Sequence, residues 1–287
     1  MSAQQVILFV MQLSIFLTVF GFGLDATIDD VLYVVRRPKR LLLALLAMFV
    51  VMPLLALALD KAFEFRPEVE IALVVLALSP IPPLLPRKQG KAAGSASFGM
   101  GLMVTMALLS IAIIPLGATL MGAAFHRSFT VPPLVIAKLI VVMAVLPLLA
   151  GMAVAAFMPR TTLRIFKPVR LLANLLLPAA GLVIVWGARH ALLAQVGEST
   201  VIALVVFIVA GLVAGHLLGG PAPRDRAVLA LSTASRHPGI AIALASANFP
   251  DVHAVTPTIG LYLLLNLVLS MPYVMWHRRR RGVTAAP

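Results

Sequence analysis

Ser232-Thr-Ala-Ser-Arg-His-Pro-Gly239 places a permanent cation, a histidine and a proline together inside a run that otherwise reads as membrane-buried. A cation such as Arg236 near a bilayer core costs about 2.5–3.5 kcal/mol by insertion scales. Pro238 cannot continue a helix from the preceding turn without removing a hydrogen bond. A broken helix that carries a charge in a membrane protein points to a polar site, so this octapeptide marks both the fold class and the place to look for function.

The rest of the chain agrees with a membrane setting. Of its 287 residues, 61% are hydrophobic and only 11% charged, with a mean hydropathy of +1.06. Soluble domains are about 25% charged. There is no cysteine, which excludes disulfides, thiolate metal sites and cysteine nucleophiles. The net charge of +13 is spread in short clusters between apolar runs, so no nucleic-acid partner is expected. Met1-Ser-Ala-Gln-Gln lacks the positive region of a secretory signal, and the first apolar run reads as a true span.

About 20 apolar residues cross the hydrocarbon core. Nine candidate spans follow, at 5–24, 41–59, 69–86, 92–124, 131–157, 168–188, 199–219, 226–248 and 253–276. Pro53, Pro115, Pro147, Pro178 and Pro272 fall within them and are expected as kinks tolerated in a bundle. Alternate loops hold Arg36 to Arg40, Arg87 to Lys91, Arg160 to Arg170, Arg224 with Arg226, and Arg278 to Arg281, together 17 of the 23 lysines and arginines. The opposite loops hold only Lys61, Arg66, Arg127 and Arg189. Cations concentrate on the cytoplasmic side. The expected placement is therefore a bacterial inner (plasma) membrane, with the N-terminus outside and the C-terminus in the cytoplasm. Arg278 to Arg281 read as a cytoplasmic stop that also meets anionic membrane lipids.

A second break mirrors the first. Ser79-Pro-Ile-Pro-Pro-Leu-Leu-Pro-Arg-Lys-Gln-Gly-Lys91 holds four prolines and is expected to form no regular helix. Both breaks carry cations and both are followed by small residues, including Ser95 and Ser97 after the first. Each is the third span of a four-span block. Paired interrupted segments at matching positions are the sequence mark of a transporter site. The expected architecture is a single all-α polytopic membrane domain over 1–287, with about nine transmembrane helices. It has two inverted repeats, 1–130 with spans one to four and 131–287 with spans five to nine. Spans three and eight form a crossed, unwound pair.

These features resemble the bile acid:sodium symporter family. The likeness rests on Gly21-Phe-Gly-Leu24, Asp29-Asp30, Arg36-Arg-Pro38, Phe49-Val-Val-Met-Pro53 and Pro147-Leu-Leu-Ala-Gly151, in that order and over nearly the whole chain. The resemblance implies alternating-access movement of an organic anion, often driven by two sodium ions. It also exposes a departure. Where the family places a glutamate, a glutamine and an asparagine at the second crossover, this chain carries Ser232, Arg236 and His237, with Ser235 among them. Met48 stands for a sodium-ligating glutamine, Gly90 for an asparagine, and Met103 and Ala107 for hydroxyl ligands. Methionine and alanine side chains offer no oxygen to a hard cation. The expected function is a secondary transporter of organic anions that is not classically sodium-coupled, because Arg236 replaces the cation; sodium symport as in the family is the alternative. No cofactor or metal is expected, and the coupling ion, sodium or proton through His237, stays open. The expected substrate-binding residues are Arg236, His237, Lys88, Lys91 and Ser95, with Asn266 at a polar position shared with the family.

The remaining polar residues read more plainly. Asn174 either binds substrate or bridges helices. Lys138, His126 and His216 read as interfacial, and Asp25, Asp29 and Asp30 as helix-entry charges balancing Arg36 and Arg37. An intramembrane enzyme is the rival class, but no His-Glu-x-x-His motif or convincing nucleophile pair is present. A membrane sensor is another, with no attached soluble domain to read out a signal.

Overall fold

The structure is a computed structural model that describes residues 3–63, 65–124, 129 and 131–280. Met1, Ser2, His126, Arg127 and Arg281 lie outside the described residues. The described chain forms helices α1 (Ala3–Gly23), α2 (Ile28–Val31), α3 (Pro38–Leu45), α4 (Met52–Ala62), α5 (Pro67–Leu78), α6 (Leu85–Lys91), α7 (Ala96–Ala124), α8 (Pro133–Ile140), α9 (Leu146–Phe157), α10 (Pro159–Gly187), α11 (Arg189–Leu193), α12 (Glu198–Leu218), α13 (Pro223–Ala234), α14 (Pro238–Asn248) and α15 (Val255–Arg279). Wider π-turns join α3 to α4 over Leu46–Val51, and α8 to α9 over Val141–Val145.

Helical segments lie at all nine expected stretches. Among the described residues seven are long and apolar enough to cross a membrane: Pro38–Ala62, α7, Pro133–Phe157, α10, Ser199–Leu218, the interrupted Pro223–Asn248, and α15. Large apolar side chains such as Phe157, Leu163 and Leu134 stand on the outer surface, 79–86% exposed, as a lipid solvent allows. The chain is an all-helical polytopic membrane protein.

Proline placement follows backbone hydrogen-bond accounting. Pro38, Pro67, Pro86, Pro133, Pro159, Pro223 and Pro238 open helices, where a missing N–H costs nothing. Pro53 and Pro147, expected as kinks, open α4 and α9 directly after the π-turns, while Pro115, Pro178 and Pro272 lie inside helices as expected. The wider turn moves the carbonyl left without a donor and makes room for the pyrrolidine ring.

The expectation of an irregular Ser79–Lys91 is corrected. Only Ser79–Leu84 is unwound; Leu85–Lys91 is a helix, because Pro86 falls in its first turn. The helix expected at 168–188 begins earlier, at Pro159, so Arg160, Arg164 and Lys167 are helical residues rather than loop residues. Pro168 lies inside that helix.

Packing divides the bundle into a core and a flanking panel. Helix α5 is buried along nearly its whole length and touches α4, α7, α14 and α15. Helix α12 lies against α13 and α15. Gly211, Gly215 and Gly219 permit that approach, since a Cβ on Gly215 would stand 2.5 Å from Leu229 O. The panel is α1 with α9 and α10. There Gly23 and Gly151 meet so closely that a Cβ on Gly23 would stand 2.2 Å from Leu148 O.

The cation clusters gather at one end. Arg40 pairs with Asp225 of α13 at 2.9 Å. Arg87, Lys91, Arg170 and Arg278 line one common cavity at that end. Arg36 pairs with Asp29, and Asp30 forms a capping box with Thr27, so these two aspartates do serve as helix-entry charges.

Candidate functional site

The two helix breaks cross and are joined backbone to backbone. Helix α5 stops at Leu78 and the chain turns extended at Ser79; α13 stops at Ala234 and turns extended at Ser235. The His237 N–H donates to Pro80 O at 2.9 Å. Each break thus satisfies backbone groups that the other frees, which is the condition for non-helical backbone inside a membrane protein.

Arg236 sits at the crossing with no exposed surface. Its Nη1 donates to Ser79 O at 3.1 Å and its Nη2 to Met48 O at 2.8 Å. Ser79 O is a carbonyl released where α5 unwinds. Met48 lies in the π-turn before Pro53, where the residue five positions on has no N–H to give. The guanidinium therefore occupies the point where two carbonyls freed by sequence-encoded proline breaks converge. Such a cluster of oxygen dipoles favours a cation.

A second set of bonds fixes the backbone around the arginine. The Arg236 N–H donates to the Tyr262 hydroxyl at 2.8 Å, and that hydroxyl donates to Ala234 O at 2.6 Å. Asn266 Nδ2 also donates to Ala234 O, at 2.7 Å. Tyr262 and Asn266 lie four residues apart on α15, so one face of that helix serves the whole break.

Lys88 extends the network. Its Nζ donates to Asn266 Oδ1 at 2.9 Å, and Ser235 Oγ donates to the same oxygen at 3.2 Å. Gln89, which sequence reasoning passed over, donates from Nε2 to Ser232 Oγ at 2.8 Å and to Val228 O at 3.2 Å. Its Oε1 is buried and has no hydrogen-bond partner among the described residues. A Cβ at Gly99 would lie 2.5 Å from that oxygen, so any larger residue there would force the Gln89 amide to shift. The available signal was an amide within a cationic run beside a break.

A cavity of about 600 Å³ opens between the panel and the core. Gln89, Gly90, Lys91 and Ser95 contribute to its wall, opposite Phe166, Arg170 and Asn174 of α10. Asp25 and Asp30 are its carboxylates. Burial acts to raise the Asp30 pKa, but hydrogen bonds from Ser97 and Thr27 outweigh it and hold the carboxyl below its ordinary value. Ala93, the single non-glycine residue with positive φ among the described residues, shapes the turn after α6 and touches this cavity.

The expected site residues thus divide. Arg236, Lys88, Asn266, Ser232, Ser235 and the backbone of Met48 gather at the crossing and do not line the cavity. Lys91, Ser95 and Gly90 line the cavity. His237 caps α14, its Nδ1 accepting from Ile240 N–H at 3.3 Å. Met103 and Ala107 are buried on α7. Lys138 is exposed, whereas His216 bonds to the Tyr273 hydroxyl at 2.8 Å.

Comparison with known proteins identifies the chain's relatives. A family model described as the Sodium Bile acid symporter family matches residues 12–195. The matched segment thus includes the first break and ends before α12. A Bacillus subtilis (strain 168) protein named "Uncharacterized sodium-dependent transporter YocS" is 24% identical over 272 residues, covering 91% of this chain and 80% of that relative.

Proposed function

This chain belongs to the sodium bile acid symporter family, and on that footing we propose that it is a secondary transporter of organic anions whose cation site is filled by its own Arg236. The observation that carries this reading is the buried guanidinium donating to both Ser79 O and Met48 O. A sodium ion at the same carbonyls would meet a fixed like charge. Two unit charges about 4 Å apart repel by about 4 kcal/mol at an effective dielectric of 20. Met48, Gly90, Met103 and Ala107 supply no compensating side-chain oxygen.

Substrate enters the cavity between panel and core in this reading. Arg87, Lys91 and Arg170 attract its anionic group, with guanidiniums suited to paired contacts with carboxylate or sulfate. Phe22 and Phe166 receive an apolar body. Lys88, held on Asn266 just below, is the reserve cation that the anion meets when the panel moves against the core. The two repeats, 1–130 and 131–287, are inverted and rock about the crossed breaks. The cation-rich end faces the cytoplasm of a bacterial inner membrane.

A second reading, sodium symport as the name of the Bacillus relative indicates, is favoured by one feature. Gln89 Oε1 is buried beside Ser232 with no donor among the described residues. Uptake of a carboxylate or sulfate conjugate into proteoliposomes, at clamped membrane potential, separates the two. The same rate with and without an inward sodium gradient supports Arg236 as the resident cation; a rate that requires sodium overturns it.

A further inference from the structure

A second cavity, of about 430 Å³, opens where the ends of α12, α13 and α15 meet. Its wall carries Arg224, Arg226 and Arg280, with His216, His277 and Trp276. Among the described residues no carboxylate lines it, and the nearest in sequence, Asp225, is committed to Arg40 at 2.9 Å. Two of the cations are held in place by groups that leave their charge uncompensated. Arg226 Nε donates to the neutral Gly220 O at 2.6 Å, and the Arg280 guanidinium lies 4.4 Å from the centroid of the Trp276 ring. His216 bonds the Tyr273 hydroxyl, and its ring lies 6.0 Å from that of His277.

Exposed apolar side chains flank this cavity on α12 and α15. Leu217, next to His216, is 74% exposed, and Met275, next to Trp276, is 48% exposed. Trp276 itself is 39% exposed at the end of an apolar helix, the position of an interfacial aromatic. A cationic pocket with the Trp276 ring in its wall and exposed apolar side chains beside it fits a molecule with an anionic head and apolar tails. Basic pockets between transmembrane helices bind anionic lipid headgroups. We propose that this cavity is a binding site for the phosphate headgroup of an anionic phospholipid, with the acyl chains lying over Leu217 and Met275. It is separate from the carrier cavity, although Ala93 touches both.

The test is native mass spectrometry of the purified full-length protein in detergent. It is titrated with phosphatidylglycerol, with phosphatidylcholine and with inorganic phosphate. Wild type is expected to retain phosphatidylglycerol over phosphatidylcholine, with inorganic phosphate failing to displace it. The double variant Arg224→Gln/Arg280→Gln, which spares the Arg226 backbone bond, is expected to bind about 25-fold more weakly. That is about fivefold for each cation removed, the factor for about 1 kcal/mol per charge. Lys39→Gln/Arg160→Gln removes the same charge from exposed positions outside the cavity and is expected to bind as wild type does. Three outcomes overturn the site: equal retention of phosphatidylcholine, displacement of the lipid by free phosphate, or equal weakening in the control double variant. Thermal unfolding of each variant without lipid shows whether the fold is intact.

Discussion

Replacing Tyr262 by phenylalanine isolates what holds the second break open. The hydroxyl accepts from the Arg236 N–H at 2.8 Å and donates to Ala234 O at 2.6 Å, and both Tyr262 and Arg236 are fully buried. The two losses are unequal. Ala234 O keeps Asn266 Nδ2 at 2.7 Å and remains satisfied. The Arg236 N–H has no such second partner among the described residues, and an orphaned buried donor costs about 1–3 kcal/mol. Interhelical hydrogen bonds in membranes average only about 0.6 kcal/mol, with a maximum near 1.7, because the separated helices find other partners. An N–H at an interrupted helix has fewer alternatives, so Tyr262→Phe is expected to destabilise by about 2 kcal/mol. The assay is reversible unfolding in mixed micelles, followed by circular dichroism. Asn266→Leu alone leaves Ala234 O with Tyr262. The double variant strands that oxygen too, and should lose about 1 kcal/mol beyond the sum of the single changes. A Tyr262→Phe protein within about 0.5 kcal/mol of wild type, or an additive double variant, refutes this accounting.

Other consequences follow from the same geometry. Lys88→Met removes a cation whose partner is the neutral Asn266 Oδ1; it should raise KM for anion uptake about tenfold or more while leaving thermal stability equal or higher, as relief of a buried charge requires. Gln89→Leu forfeits the bonds to Ser232 and Val228 but also removes an unsatisfied oxygen; it should change stability by less than about 1.5 kcal/mol, measured by the same micelle unfolding, while slowing uptake. Gly23→Ala forces a methyl to within 2.2 Å of Leu148 O; because the obstruction is backbone, it should cost about 1–3 kcal/mol or more, and loosening of the panel should appear as faster hydrogen exchange in α1 and α9.

Much of this arrangement was legible in the chain. The proline cluster from Pro80 to Pro86 and the single Pro238 located the two breaks because a missing N–H is a local, covalent fact, and the uneven cations located the end where Arg40 meets Asp225. Arg236 stood out because its charge is costly in an apolar run. Its partners did not. Ser79 O and Met48 O are backbone atoms, and no residue type announces a carbonyl that a distant proline has set free. The same blindness hid the π-turns before Pro53 and Pro147. Lys88 and Lys91 looked alike in sequence; only the crossing of α6 with α15 sends one to Asn266 and leaves the other on the cavity wall. Gln89 was passed over because a single amide among cations carries no pattern. Its role depends on Ser232, 143 residues away.

Equilibrium binding of radiolabelled sodium to the purified wild-type protein is the most direct measure of whether Arg236 is the resident cation. A guanidinium seated on Ser79 O and Met48 O predicts no saturable sodium binding. Saturable binding by wild type, with Arg236 intact and still buried, would contradict it.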